Sequence, residues 1–439
     1  MNPSLWLSGR EPIAGDPTFG LDNELFDAVV VGAGMTGLTT AVVLSRAGHR
    51  TLVVEPRYLG AGTTGNATGQ VTVLHGNRLG RIVRRHGRAT AASFLKANLE
   101  AIDWLARFCE ESGVELQRRR AVSFSQTGQG LDGLEDDFRA LGDAGLAPQR
   151  LGPDDVDLPF CFAGGIALPD QYQFDPMDFL AAAVDEVRRL EGMVVTGTRL
   201  LGVASGPVAS LVLEPTQEPR SPGMPKTRTV LARRVVVAAK TAAPGGTAWP
   251  ALAPAGRTGR AHAAAFHATD PAAASYPKDM LVSVDGPSRS LRTAMPGDGI
   301  ERLIVGGGNV RRGRDRDAGR ICAEIEDWTN RAFPGMVRTH AWSAEEYDPV
   351  RGFPVAGPVP NPSRRTETVL VATGYAKWGM TNSVAAALKV VRATEDGAKD
   401  SGDGPLGAAA PACTGDVSDT SVHDAARLPC AERGSLGIA

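Results

Sequence analysis

The stretch Gly32-Ala33-Gly34-Met35-Thr36-Gly37 limits this chain more than any other. It follows FDAVVV (26–31), a β-branched run that reads as a buried parallel strand. It opens LTTAVVLSRAGH (38–49), whose apolar spacing reads as a helix ending at Gly48. RTLVVEP (50–56) then reads as a second strand, with Glu55 at its end, 18 residues after Gly37. Strand, glycine turn, helix and strand within about 30 residues make a βαβ unit. Its first glycine permits the tight turn, its second lets backbone approach a pyrophosphate, and its third lets helix and strand pack closely. The helix N-terminus faces the phosphate charge. Glu55 would accept hydrogen bonds from ribose hydroxyls and disfavour a 2′-phosphate. A GxGxxG alone is a weak signal; in this context it is a dinucleotide fingerprint.

A chain of 439 residues exceeds what one core usually supports, so two domains are expected. A formal net charge of −2 gives no reason for a nucleic-acid partner. No apolar run is long enough for a bilayer, so no membrane partner is expected. The N-terminus, MNPSLWLSGREPIAG, has no basic stretch leading into an apolar one, and the five cysteines are scattered. Both point to a cytoplasmic protein. No CxxC or HxxxH spacing marks a metal site, so none is expected.

Further along, 88–112 reads as one amphipathic helix ending before Gly113, and 175–192 as another that begins at an Asp-Pro. VVTG (194–197), RRVVVAA (233–239) and TVLVATG (368–374) read as strands, and 381–393 as a closing helix. Several strand-like runs between 261 and 309 are separated by Pro, Gly and Asp turns, which predicts an antiparallel sheet. A helix over 316–332 and a strand over 337–344 follow. Residues 215–228 read as an exposed hairpin tip. The tail 394–439 is too poor in apolar residues to offset its ordering entropy and reads as disordered.

After Glu55 the chain does not continue into another βα unit, as a single-fingerprint NAD enzyme would; it runs through PRYLGAGTTGNATGQVTVLHG. That sequence resembles the FAD-dependent D-amino-acid oxidase family, which includes glycine and sarcosine oxidases. In this family a basic residue follows the acid, and a Gly/Ser/Thr-rich loop leads to the flavin. PDQYQFDPMDFLAAAV (169–184), VVTGTRLLGV (194–203), RRVVVAAK (233–240), GFPVAGPV (352–359) and VLVATGYAKWGMTNSVAAALKVV (369–391) also resemble family segments, so the resemblance covers most of 1–393. SLWLSG (4–9), the loop ending in His75-Gly76, AWSAEEYDPV (341–350) and Gly374 to Thr381 resemble a bacterial subgroup that often carries a C-terminal Rieske domain. After residue 393 the only Cys and His are Cys413, His423 and Cys430, which do not make the paired CxH and CxxH of that domain.

The resemblance implies an α/β fold: a glutathione-reductase-like Rossmann FAD domain, discontinuous in sequence, with an antiparallel-sheet α+β substrate domain. The expected divisions are 1–80, 150–245 and 345–393 for FAD, and 81–149 and 246–344 for substrate. It implies that Glu55, Pro56 and Arg57 hold the ribose side, that Leu200 lies beside the adenine, and that Ala238 and Ala239 close the third strand against the cofactor. Thr63, Thr64, Asn66 and Ala67 would reach the pyrophosphate, and Thr68, Gly69 and Gln70 the ring. Backbone N–H groups of Gly379, Met380 and Thr381, after Gly374, would stabilise charge on the reduced ring. No Cys lies in the closing motifs, and Asn66 stands where covalently attached members can have His, so the FAD is expected to be noncovalent.

The family's usual reaction oxidises a C–N bond: a hydride passes from the carbon beside an unprotonated amine to the flavin, and the imine product hydrolyses. Positioning matters more here than an acid–base pair. His75, Tyr375, Lys377 and Trp378 are the candidate catalytic or substrate-contacting residues. Arg292 or Arg351 could take a substrate carboxylate, in place of an Arg that many members carry where this chain has Trp342-Ser343. The comparable strand to one that carries an oxygen-activating Lys in some members reads LIVGGGN (303–309), without Lys, so O2 or another electron acceptor stays open. Glu345, Glu346 and Tyr347 read as exposed, as do Arg84-Arg85-His86 and the basic cluster 311–316. The substrate reading is a small-molecule amine or amino-acid-like compound, with specialised metabolism as one setting. The alternatives are a hydroxylase or C–C dehydrogenase on the same flavin, and a flavoprotein subunit of a larger oxidoreductase.

Overall fold

The computed structural model describes residues 3–18, 20–204, 206–216, 226–239, 256–270, 275–311, 318–359 and 368–395. The expected hairpin tip within 215–228, Lys240, most of the basic cluster at 311–316, and all but the first two residues of the tail lie outside these.

The chain starts as the fingerprint predicts, with β1 (Leu25–Val31), α1 (Met35–Arg46) and β2 (Thr51–Val54). β2 is buried throughout, and so are the last four residues of β1, as an interior parallel strand requires. α1 begins after an extended Gly34. It ends in a Schellman motif: Gly48 adopts a φ of 85°, its N–H donates to Ser45 O, and His49 N–H donates to Leu44 O. Next come β3 (Gln70–Val71), α2 (Arg78–His86), α3 (Arg88–Ser112), β4 (Gln117–Ser125), α4 (Leu131–Asp143), β5 (Gln149–Leu151) and β6 (Gly164–Gln173). α3 has the predicted bounds and stops at a left-handed Gly113.

α5 (Pro176–Arg189) is capped by Asp175, whose carboxylate accepts from Met177 N–H, with Pro176 in the first turn. β7 (Met193–Val195), β8 (Thr198–Ala204), β9 (Ala209–Pro215), β10 (Arg228–Val237), β11 (Gly256–Ala268), β12 (Met280–Ser283), β13 (Arg289–Ala294) and β14 (Arg302–Arg311) follow. The chain continues through α6 (Ala318–Ala332), β15 (Met336–Pro349), β16 (Val355–Pro358), β17 (Val369–Thr373) and α7 (Gly379–Glu395).

Two sheets organise these elements. The first runs β16-β17-β10-β1-β2-β7. β17, β10, β1, β2 and β7 are parallel, β16 is antiparallel at the edge, and the β8–β9 pair joins through β9 and β10. The second runs β15-β11-β14-β13-β12-β4-β6-β3, with β5 on β6, and is antiparallel except where β12 pairs with β4. β6 belongs to this second sheet, although it falls within the 150–245 segment expected to go with the first, and β5 straddles the start of that segment. α7 packs against α1 and α3, which brings the end of the chain back to the fingerprint. A continuous apolar core joins α1, α3, α5 and α7 to residues of both sheets, among them Val30, Val71 and Trp342, and to Trp6 of the N-terminal segment. Among the described residues no helix is long and apolar enough to cross a membrane.

Candidate active site

The fingerprint glycines do what their positions require. Gly32 takes a φ of 106°, and a Cβ there would sit 3.0 Å from Ala238 O. At Gly37 a Cβ would sit 1.7 Å from Gly32 O, so no other residue fits under the turn. A Cβ on Gly34 would meet Thr64 Oγ1 at 3.1 Å. The Thr64 hydroxyl in turn accepts from Met35 N–H at 3.0 Å, tying the second loop to the first turn of α1. That turn carries no acid. Glu55 lies just past β2, and its two oxygens accept from Ala33 N–H and Arg57 N–H, both at 3.1 Å. Pro56 and Arg57 extend from it: Arg57 O accepts from Gly197 N–H, and Pro56 O from the Thr216 hydroxyl. Ala238 N–H pairs with Val31 O, and Ala239 follows at the end of the same strand. Leu200 is buried against the cluster of β8–β10, opposite Leu213. A helix N-terminus free of acids, a turn of glycines that admits close backbone approach and an acid at the second strand's end fit a dinucleotide.

The loop from Thr63 to Gln70 is held in an unusual way. Ser4 Oγ donates to Gly65 O. Trp342 Nε1 donates to Asn66 O at 3.0 Å, and Trp6 Nε1 to Ala67 O at 2.7 Å. Arg292 Nη1 donates to Thr68 O and Gly69 O, each at 3.0 Å. The Gln70 amide reaches back to Leu291 O. Thr63 is exposed and donates to Glu345 O at 3.3 Å, and Asn66 Nδ2 turns back to Gly62 O. This overturns one expectation. Arg292 is not available for a substrate carboxylate in the way proposed: it is 2% exposed, its Nη1 also reaches Phe174 O, and its Nε reaches Thr293 O. Burial pulls its pKa down to about 9. Arg351 is exposed, with its backbone O bonded to His86.

Beyond this loop, His75 stacks on Trp378 at 4.6 Å between ring centroids and meets Phe94 edge-on. Thr381 Oγ1 lies 2.9 Å from His75 Nε2 and donates to Thr72 O at 3.3 Å. Nδ1 is buried, with no hydrogen-bond partner among the described residues. Burial, and after it the Arg78 cation, drive the His75 pKa down to about 3, so the ring is neutral.

Arg78, which the sequence reading passed over, is the centre of the closing turn. It donates to Ala376 O at 2.9 Å and to Gly352 O at 2.5 Å. Ala376 and Lys377 both have positive φ, 49° and 74°, and they follow Gly374 at 81°. Two adjacent non-glycine residues in the left-handed region store strain, and such strain persists where surrounding contacts impose it. Here the Arg78 guanidinium and Tyr347 O, which accepts from Ala376 N–H, do so.

The turn separates the four candidates. Tyr375 faces the fingerprint: Thr36 Oγ1 donates to its hydroxyl at 2.6 Å, and that hydroxyl donates to Ala372 O. Burial raises its pKa. Lys377 lies at the rim, 45% exposed and 3.8 Å from Glu346. Trp378 joins His75. Gly379, Met380 and Thr381 form the first turn of α7 as expected. Glu345 is exposed, but Glu346 is only 16% exposed and the Tyr347 hydroxyl is buried, so those two depart from the exposed reading. Among the described residues no group of three or more His, Cys, Asp or Glu gathers as a metal site does.

The model of one family matches residues 27–393: DAO, FAD dependent oxidoreductase. The chain belongs to this family. It is therefore an FAD-dependent oxidoreductase, and the fold is of the DAO type. A curated relative, the putative Rieske 2Fe-2S iron-sulfur protein YhfW of Bacillus subtilis (strain 168), is 23% identical over 365 residues, 82% of this chain and 67% of that protein. Among solved structures, glycine oxidase from Geobacillus kaustophilus matches with a TM-score of 0.66 at 18% identity, covering 85% of this chain and 95% of that one. L-proline dehydrogenase from P. horikoshii matches at 0.67 and 14% identity, covering 88% and 98%. L-amino acid deaminase from Proteus vulgaris matches at 0.66 and 14% identity, covering 90% and 99%. At these identities the likeness is one of fold.

Proposed function

We propose that this DAO-family protein oxidises a C–N bond of an amine or amino-acid-like small molecule, with FAD held noncovalently. Bound FAD supplies the two-electron acceptor. The observation that carries the reading is the electrostatics at the start of α7, where an imidazole is kept neutral beside the half-buried Arg78 cation. A cation in a low-dielectric wall disfavours a second positive charge, so it favours an amine bound without its extra proton, the form from which oxidation proceeds. In this reading Trp378, half-buried, supplies an aromatic face, and His75 stacked behind it positions that ring. Lys377 stands at the entrance, and Tyr375 serves the cofactor end through Thr36.

The cofactor residues follow the same reading: Gly32 to Gly37 with Thr63, Thr64, Asn66 and Ala67 at the pyrophosphate, Glu55 to Arg57 at the ribose, and Leu200, Ala238 and Ala239 toward the adenine. Thr68, Gly69, Gln70 and Gly379 to Thr381 then lie toward the ring. The first sheet carries FAD and the second the substrate, with β5 and β6 assigned by their pairing to the substrate side. Glycine oxidase, proline dehydrogenase and amino-acid deaminase, named above, act on small amines and amino acids, which supports the substrate class.

The test is anaerobic. Primary, secondary and N-methylated amines and amino acids are added singly to the yellow protein, and the flavin absorbance is followed. One class should bleach the band, and air or a dye acceptor should restore it. Bleaching by NADPH with none by any amine would overturn the reading in favour of a hydroxylase.

A further inference from the structure

We infer that the segment Ser4–Trp6, with Trp342 and Arg292, is a retention clamp for FAD: these residues act by positioning the 65–69 loop. The inference rests on the proposed placement of that loop against the cofactor.

Five consecutive carbonyls, Gly65 to Gly69, accept from side chains that come from the N-terminal segment, β13 and β15. No element of regular structure follows that pattern. A helix or strand would pair these groups with backbone; here all five accept from side chains, and Gly69 O alone also accepts a backbone N–H, that of Phe174. Trp6 and Trp342 are 3% and 1% exposed, and Ser4 is fully buried. Arg292 also lies over the Trp6 ring, 5.3 Å from its centroid, so the donors brace one another. An indole carries one N–H and no acceptor, so a buried Trp fixes its partner more narrowly than a hydroxyl does.

The effect is directional. With the carbonyl oxygens drawn toward the core, and with Asn66 N–H and Ala67 N–H donating back to Thr63 O and Thr64 O, the loop is held in one orientation beside the fingerprint, where Thr64 Oγ1 meets Met35 N–H. An anionic cofactor is repelled by carbonyl oxygens and attracted by N–H groups, so a loop that stays in this orientation without ligand needs no ordering step when FAD binds. A loop that has lost a donor relaxes in the free protein and must be reordered on binding.

Release of FAD from the full-length holoprotein on dilution, followed by recovery of free-flavin fluorescence, tests this. Ser4→Ala and Trp6→Phe should each speed release by about tenfold, as expected for a buried carbonyl left unpaired. Ser4→Thr, which keeps the hydroxyl, should restore a rate close to the parent. Rates for Ser4→Ala and Trp6→Phe within about twofold of the parent would overturn the clamp, since altered affinity is carried mainly by the off-rate. A merely structural role would lower the melting temperature and leave release unchanged. Gly34→Val separates the two premises. If it holds FAD normally, the placement of the loop against the cofactor is wrong; if it loses FAD while the Ser4 and Trp6 variants keep theirs, only the clamp is wrong.

Discussion

At the scale of single residues, His75 is held far from its ordinary state. Its folded pKa is about 3, against an ordinary 6.5. Between those values the unfolded chain binds a proton that the folded chain does not, so His75 withdraws stability as pH falls below about 6.5, with the loss complete near pH 3. His75→Asn should therefore flatten the melting temperature of the protein between about pH 4 and pH 6.5 relative to the parent, while the two run parallel above pH 7. Parallel curves at all pH values would show that the imidazole titrates normally. Tyr375, Lys377 and Trp378 were singled out from the closing motif and His75 from the end of the 60–76 loop, but not the different directions in which they face. Which way Tyr375 and Trp378 face depends on φ at Ala376 and Lys377, and nothing in the residues Ala-Lys announces a left-handed backbone. The cause lies in Arg78, some 300 residues earlier in the chain.

Among elements, α2 shows how a helix is specified by its neighbour. RLGRIVRRH has few apolar residues, of which Leu79 and Ile82 are buried, and so gave little periodic signal. Its start is instead stabilised by Asp137 of α4, whose carboxylate accepts from Gly80 N–H at 2.6 Å and Leu79 N–H at 3.2 Å. Gly80 allows that approach: a Cβ there would sit 2.6 Å from Asp136 Cβ. Burial pushes Asp137 up to about 7. Asp137→Ala should leave two buried donors without an acceptor and cost about 2 kcal/mol in urea unfolding. Asp137→Asn, which keeps one acceptor oxygen, should cost less. By contrast α1, α3 and α5 were readable because their stops and caps are local: Gly48, Gly113 and Asp175 with Pro176. The antiparallel run of β11 to β14 was legible from its turns. The parallel pairing of β12 with β4 was not, since it joins segments far apart in sequence and no local pattern encodes a register.

For the whole molecule, α7 returns to α1 and the second sheet supplies donors to a loop that follows the first, so the two sheets meet around the proposed cofactor site. Binding there should stabilise the entire fold. With free FAD at about 100 times its dissociation constant, the gain should be about 2.7 kcal/mol, seen as a melting temperature that climbs with FAD concentration. NAD at the same concentration should leave the melting temperature unmoved. The fold class was readable from one glycine motif because that motif fixes a strand, a helix and their contact together. The carbonyl contacts at 65–69 were not readable, because a buried Trp declares that it needs an acceptor without declaring which one.

That loop also has a history in time. A ribosome delivers Ser4 and Trp6 first, the acceptors at Gly65 and Ala67 soon after, Arg292 much later and Trp342 later still. The two earliest contacts can form on a nascent chain, but the loop is not complete until the second sheet has emerged. If the loop holds the cofactor as proposed, cofactor loading follows synthesis rather than accompanies it.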